Sequence, residues 1–160
     1  MQEPLDFERF FRDAYPAVFR ALCLATRNRH EAEEVVQEAF AKVWERWNEV
    51  RLIDRPDGYL YRAAMNVFLS RRRRAVMAIR KSVRLLPADD QMLAFEDRDE
   101  LARTLALLTP RQRAAIVLTE FLDLTSEEAG QVLGVKATTV RVLANRARAA
   151  LKKNRGGRDG

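Results

Sequence analysis

Near the end of the chain, Thr138, Arg141, Val142, Asn145, Arg146 and Ala149 fall on one side of a helix counted at about 100° per residue, and Val140, Leu143, Ala144, Ala147 and Leu151 fall on the other. The outer set suits recognition rather than reaction. A guanidinium matches the major-groove edge of guanine, a side-chain amide that of adenine, and the hydroxyls of Thr138 and Thr139 can bind phosphate. From Ala137 to Arg155 there are six basic residues and no acid, so Arg148, Lys152 and Lys153 can approach a polyanion unopposed. An ordinary solvated helix face mixes its charges; this one does not.

A second stripe has a different composition. Tyr59, Arg62, Asn66, Ser70 and Arg73 lie opposite Leu60, Ala63, Ala64 and Val67. An aromatic ring, an amide and cations together can stack on exposed bases, bond their edges and neutralise phosphates, as gripping a separated strand requires. The run Arg71 to Arg74 spreads over about 300° of a helix, so its four members cannot share one surface.

Covalent chemistry has little to work with. The chain holds one histidine, His30, and one cysteine, Cys23, with no phosphate-cradling glycine loop and no nucleophile paired with a base. Neither a metal site nor a cofactor is expected. Cys23 falls in an apolar helical pattern and reads as buried packing, whereas His30 reads as a surface residue at a helix start. A lone cysteine fits a reducing compartment, the amino terminus lacks a secretory pattern, and no apolar run approaches the roughly 20 residues that span a bilayer. The expectation is a cytoplasmic protein without membrane insertion.

The elements that must position these stripes are all helices. Phe7, Phe10, Phe11, Ala14, Tyr15, Val18, Phe19 and Leu22 make the apolar face of a first helix, with Asp6 as its cap. A second helix, about His30 to Asn48, turns Val36, Ala39, Phe40, Val43 and Trp47 inward and carries Glu34, Glu38 and Glu45 on its other side. Pro56, followed by Asp57, opens a third that runs into the arginines. After a fading of the pattern around Pro87, a helix covers Asp97 to Leu108, and Thr109-Pro110 stops it and starts another. Thr125 to Glu128 offers a capping box, Gly134 sits where a left-handed helix end is wanted, and a final helix runs from about Ala137 to Lys152. A short helix, a three-residue turn Gly134-Val135-Lys136 and a longer helix have the proportions of a helix-turn-helix. Lys136 departs from the serine or threonine preferred as a cap.

The reading is therefore an all-α chain of two small helical domains joined by a flexible acidic linker, the second domain being the helix-turn-helix. Its boundaries are 1–80, a linker at 81–96, 97–154, and a disordered tail at 155–160. Charge follows these blocks. Seven basic residues and no acid lie between Arg71 and Arg84, and six acids with only Arg98 lie between Asp89 and Glu100. The formal net charge of +6 favours an acidic partner such as nucleic acid.

HEAEEVVQEAFAKVWERW in the first half and LTPRQRAAIVLTEFLDLTSEEAGQVLGVKATTVRVLANRARAAL in the second resemble the two conserved regions of extracytoplasmic-function sigma factors, non-catalytic initiation factors of bacterial RNA polymerase. The resemblance covers about Phe7 to Arg74 and Leu101 to Lys153. It implies that Glu34, Gln37, Glu38 and Ala41 help to dock the chain on the clamp helices of the largest polymerase subunit, with further contacts of the family at the polymerase flap. It implies too that Tyr59, Arg62, Asn66, Arg71 and Arg73 read and open the −10 promoter element, and that Thr138, Thr139, Arg141, Val142, Asn145 and Arg146 read the −35 element. Ser70 departs from the aspartate that members often carry four residues after the equivalent of Asn66. An anti-sigma protein occluding both modules is the regulator the family implies. The rival is a conventional regulator that binds operators as a dimer through its helix-turn-helix.

Overall fold

A computed structural model describes residues 6–81 and 99–157, with the side chains of 99–102 left aside. The expected linker lies outside the described residues except for Lys81. Among the described residues every regular element is helical: α1 (Phe7–Thr26), α2 (Arg29–Glu45), a single turn α3 (Trp47–Val50), α4 (Pro56–Lys81), α5 (Asp99–Ala106), α6 (Pro110–Ile116), α7 (Ser126–Leu133) and α8 (Ala137–Gly156). A π-helical stretch, Val117–Phe121, continues α6.

Local chemistry fixes the ends. Asp6 accepts a hydrogen bond from the Arg9 N–H and Asn28 accepts one from the Glu31 N–H, each satisfying a first-turn donor that no helical carbonyl can reach. Thr109 and Thr125 both form reciprocal capping boxes, with Gln112 and Glu128 respectively. Gly134 closes α7 at φ 69°, and Lys136 starts α8 without a side-chain cap. One expectation needs correction: the tail was expected from residue 155, yet α8 continues through Arg155 to Gly156. The last turn carries Lys153 and Arg155, cations that favour the negative end of a helix and so extend it.

In the first module α1 packs on α2, and α2 on α4. Val18, Leu22, Val35, Val36, Val43, Leu60, Ala64 and Phe68 are almost wholly excluded from water there. A seam of rings runs along α1 and α2, with Phe7 4.8 Å from Trp44 and Phe11 4.6 Å from Phe40. Phe11, expected inside, keeps 40 % of its surface exposed because it lies at the rim of that seam. Cys23 is buried, and no helix among the described residues is long and apolar enough to cross a membrane.

The second module stacks α6, α7 and α8, closing on Leu118, Ala129, Val140 and Ala147. It also packs on the first module. Helix α7 lies against α4, while α6 and its π-helical continuation lie against α1, so the buried residues of the two halves form one contiguous cluster. Burying an aliphatic side chain stabilises by about 1.5 to 3 kcal/mol, which makes a shared core far more consequential than any single surface contact across it.

Candidate nucleic-acid interface

Helix α8 presents its outer face as the helical count requires. Thr138, Thr139, Arg141, Val142, Asn145 and Arg146 are all exposed, while Val140, Ala144 and Ala147 are buried against α6 and α7. The face is held in place from behind. At Gly130 in α7, an added Cβ would come within 2.7 Å of the Val135 carbonyl oxygen and 3.3 Å of the Ala137 nitrogen. Backbone therefore touches backbone where α7 meets the start of α8, an approach only glycine permits.

Two acids steady the cations of this face. Glu127 pairs with Arg141 at 2.8 Å, and Glu120 pairs with Arg148 at 2.7 Å. Arg148 also donates to the Asn145 Oδ1 at 3.0 Å. A guanidinium can only donate, so the amide oxygen is turned toward Arg148 and the amide N–H groups remain available as outward donors. Bidentate pairing of Asn145 with adenine thus requires Arg148 to share or release that oxygen. Arg146 has no ion-pair partner among the described residues and stands ready for a base or phosphate. Sequence reasoning missed Glu120 and Glu127, whose partners lie 28 and 14 residues away.

The α4 stripe is divided. Arg62, Asn66 and Arg73 are exposed, and Tyr59 is half-buried, packed against the core. Arg71, expected with them, turns toward α2 and donates to Glu34 at 2.8 Å and Glu38 at 3.4 Å. That pairing holds the Glu34 carboxyl below the usual carboxylate range, the hydrogen bond from Arg71 being the main cause. Glu34 and Glu38, expected at the polymerase surface, are thus bound to a residue expected at DNA. Gln37 and Ala41 are exposed beside them on α2.

Arg72 goes deeper. It donates to the Thr26 carbonyl at 2.8 Å and to Glu31 at 2.9 Å, and its guanidinium lies 5.6 Å from the centre of the Phe68 ring. Of the four consecutive arginines, Arg71 and Arg72 tie α4 to its neighbours, while Arg73 and Arg74 are exposed. Ser70 lies 3.5 Å from an Arg73 nitrogen, and its carbonyl lies 3.5 Å from Arg74, so both contacts are long.

Arg113 of α6 is 6 % exposed. Its Nε donates across the module boundary to the Ala25 carbonyl at 2.9 Å, and its Nη1 donates to the Leu108 carbonyl at 2.8 Å. Burial, with Arg72 and Arg27 nearby, lowers its pKa to about 10, which still leaves it cationic at neutral pH. At the edge of the same boundary Arg55 pairs with Glu128 at 2.8 Å. The nearby groove is walled by Arg55, Tyr59 and Arg62 on one side and Glu128, Gln131 and Val132 on the other. Among the described residues no cluster of His, Cys, Asp or Glu could hold a metal ion.

Comparison with known proteins places this architecture. Residues 10–76 match the family described as Sigma-70 region 2, and residues 98–151 match Sigma-70, region 4. The chain is 29 % identical over 161 residues to the RNA polymerase sigma-E factor of Streptomyces coelicolor, spanning 99 % of this chain and 91 % of that protein. It is 30 % identical over 158 residues to the ECF RNA polymerase sigma factor SigE of Mycolicibacterium smegmatis, spanning 91 % of this chain and 60 % of that protein. In fold it is similar to the sigma factor RpoE of Bartonella quintana, solved with the anti-sigma factor NepR, at a TM-score of 0.76, 22 % identity and coverage of 92 % and 95 % of the two chains. A second similar structure is CnrH in complex with the cytosolic domain of CnrY, at a TM-score of 0.68, 24 % identity and coverage of 94 % and 88 %. With both regions present in order and the alignment running nearly end to end, the chain belongs to the extracytoplasmic-function sigma factors of the sigma-70 family.

Proposed function

We propose that α2 docks this sigma factor on core RNA polymerase through Glu34, Gln37, Glu38 and Ala41, that Tyr59, Arg62, Asn66 and Arg73 on α4 grip the −10 element, and that α8 reads the −35 element. As a sigma factor the chain directs the polymerase to promoters and starts transcription there. The observation that carries the residue assignment is the acid-free, solvent-exposed outer face of α8, backed by a buried face of small residues.

The division of labour follows from the chemistry of each stripe. Arg141, Asn145 and Arg146 offer donors to the edges of paired bases, with Thr138 and Thr139 at the flanking phosphates. Tyr59 with Arg62 and Asn66 offers a stacking surface and polar groups for a base already out of the duplex. Unstacking costs a few kcal/mol, and binding the displaced base offsets that cost, so melting needs no hydrolysis by the sigma factor. We assign the chain no catalytic step of its own and place its action in the cytoplasm with the polymerase. An anti-sigma protein covering both modules is its regulator, a reading supported by the partners of the two similar structures.

Reconstitution with bacterial core polymerase and a library of promoter fragments tests the assignment. A stimulated transcript with a defined start site is expected, and its absence rejects it. The operator-binding rival predicts the reverse, tight and specific DNA binding by the chain alone.

A further inference from the structure

The two DNA-facing stripes are not equally accessible. Helix α8 displays its whole outer set, whereas on α4 Arg62 is exposed at the edge of a groove and Tyr59 is half-buried in it, the opposite wall being α7 of the other module. A strand that stacks on Tyr59 must share this groove with Gln131 and Val132. Closure therefore bears on one stripe and spares the other.

What holds the closure is visible in the carbonyls at the end of α1. This helix has no basic residue in its last turn, although its terminal carbonyls carry the negative end of the helix dipole. Cations from elsewhere serve them. Arg72 of α4 takes the Thr26 oxygen, and Arg113 of the second module takes the Ala25 oxygen while also bonding the Leu108 carbonyl just after α5. Arg113 thus sits at the negative ends of two helices, one from each module, in a site almost closed to water. Arg55 and Glu128 clasp the same boundary at its exposed edge.

We propose that Arg113 is an inter-module latch that keeps the free chain closed, so that the outer face of α8 is open to duplex while Tyr59 of the α4 stripe stays walled in until the modules part. The inference rests on the reading of α4 as the strand-gripping surface. It sets an order of engagement: α8 first, then opening, then Tyr59.

The test uses the full chain with Cys23→Ser and spin labels on single cysteines at Glu45 and Lys152, both exposed. Two variants open it by different routes. Arg113→Met keeps a long apolar stem but loses every donor, and Glu128→Gln loses the ion pair while a glutamine preserves the capping box. Circular dichroism confirms that each variant is folded, and Glu128→Gln carries the test alone if Arg113→Met is not. The wild-type chain should give one narrow distance distribution. Arg113→Met should raise the open population by about tenfold or more, since it orphans buried carbonyls. Glu128→Gln should raise it by about two- to fivefold, as fits an exposed pair. Binding of a short fluorescein-labelled single strand of randomised sequence should rise in the same proportion, with binding of randomised duplex unchanged. A broad distribution in the wild-type chain overturns the latch, and so does an opened variant that binds single strand no better. A chain that closes and opens as described yet yields no transcript with core polymerase supports the latch and faults the sigma assignment instead.

Discussion

The basic helices α4 and α8 are similar in composition and opposite in how they use their arginines. In α4 the cations at Arg71 and Arg72 face inward to acids and a helix end, with about a third of each side chain exposed. In α8 the cations at Arg141 and Arg148 are half exposed, and their partners, Glu127 and Glu120, belong to the adjoining elements of the same module. Arginine content therefore does not measure DNA contact. An arginine whose guanidinium is drawn in to part-buried acceptors contributes to the fold, and one that keeps donors facing solvent is ready for a phosphate or a base.

This contrast can be broken most sharply at Arg72. Arg72→Ala should cost about 2 to 4 kcal/mol of folding stability, because it leaves the Thr26 carbonyl and Glu31 without their cation. Urea unfolding measures this, and a loss below the error of the fit would show that Arg72 does not tie α4 to the end of α1. Arg146→Ala is the opposite case. It should leave the unfolding midpoint unchanged and weaken selection at the −35 element by about 1 to 3 kcal/mol; unchanged preference in a selection from randomised duplex would remove it from the readout. Asn66→Ala should impair open-complex formation more than core binding, whereas equal loss of both would show a folding defect.

Arg71 lies between these extremes. Arg71→Gln should cost about 0.5 to 1 kcal/mol of stability, as for a part-exposed pair. A larger effect on promoter opening than on stability would show that the residue changes partners when DNA arrives. The smallest effect is in pH. The Glu34 carboxyl is held below its ordinary value of 4.5 by Arg71, so its contribution to stability is complete above that value and is lost as pH falls through the lowered folded value. Glu128 follows the same sign through its bonds with the Thr125 backbone and Arg55. In Arg71→Gln the acid-side fall in the urea midpoint should shrink without disappearing, the remainder belonging to Glu128. A fall as steep as in the wild-type chain would contradict the Glu34 pairing.

Much of the frame could be read in residue order because its causes are local. Thr125 with Glu128, Gly134, and the alternation of Val140, Ala144 and Ala147 with Arg141 and Asn145 each act within a few residues, and each lies where its chemistry demands. The allotment of the arginine run was not legible. Helical counting says which way Arg71 and Arg72 point but not that Glu34 and Glu31, 37 and 41 residues earlier, will be waiting there. Arg113 was hidden for the same reason, since its acceptor on Ala25 lies 88 residues away and is a backbone oxygen that no residue type announces. The π-helical stretch at Val117–Phe121 left no periodic trace, because its wider turn is registered in backbone bonds such as that from the Leu122 N–H to the Val117 oxygen and not in any residue type.

The contact at Gly130 bears on how the promoter reader is carried. Since main chain rests on main chain there, the angle between α7 and α8 is set by atoms that cannot change rotamer, and the pair travels as a single stiff part. A methyl group at that position would tilt the reading helix without altering any side chain that faces a base. Altered spacing tolerance between the two promoter elements, rather than altered base preference, would be the sign of such a tilt.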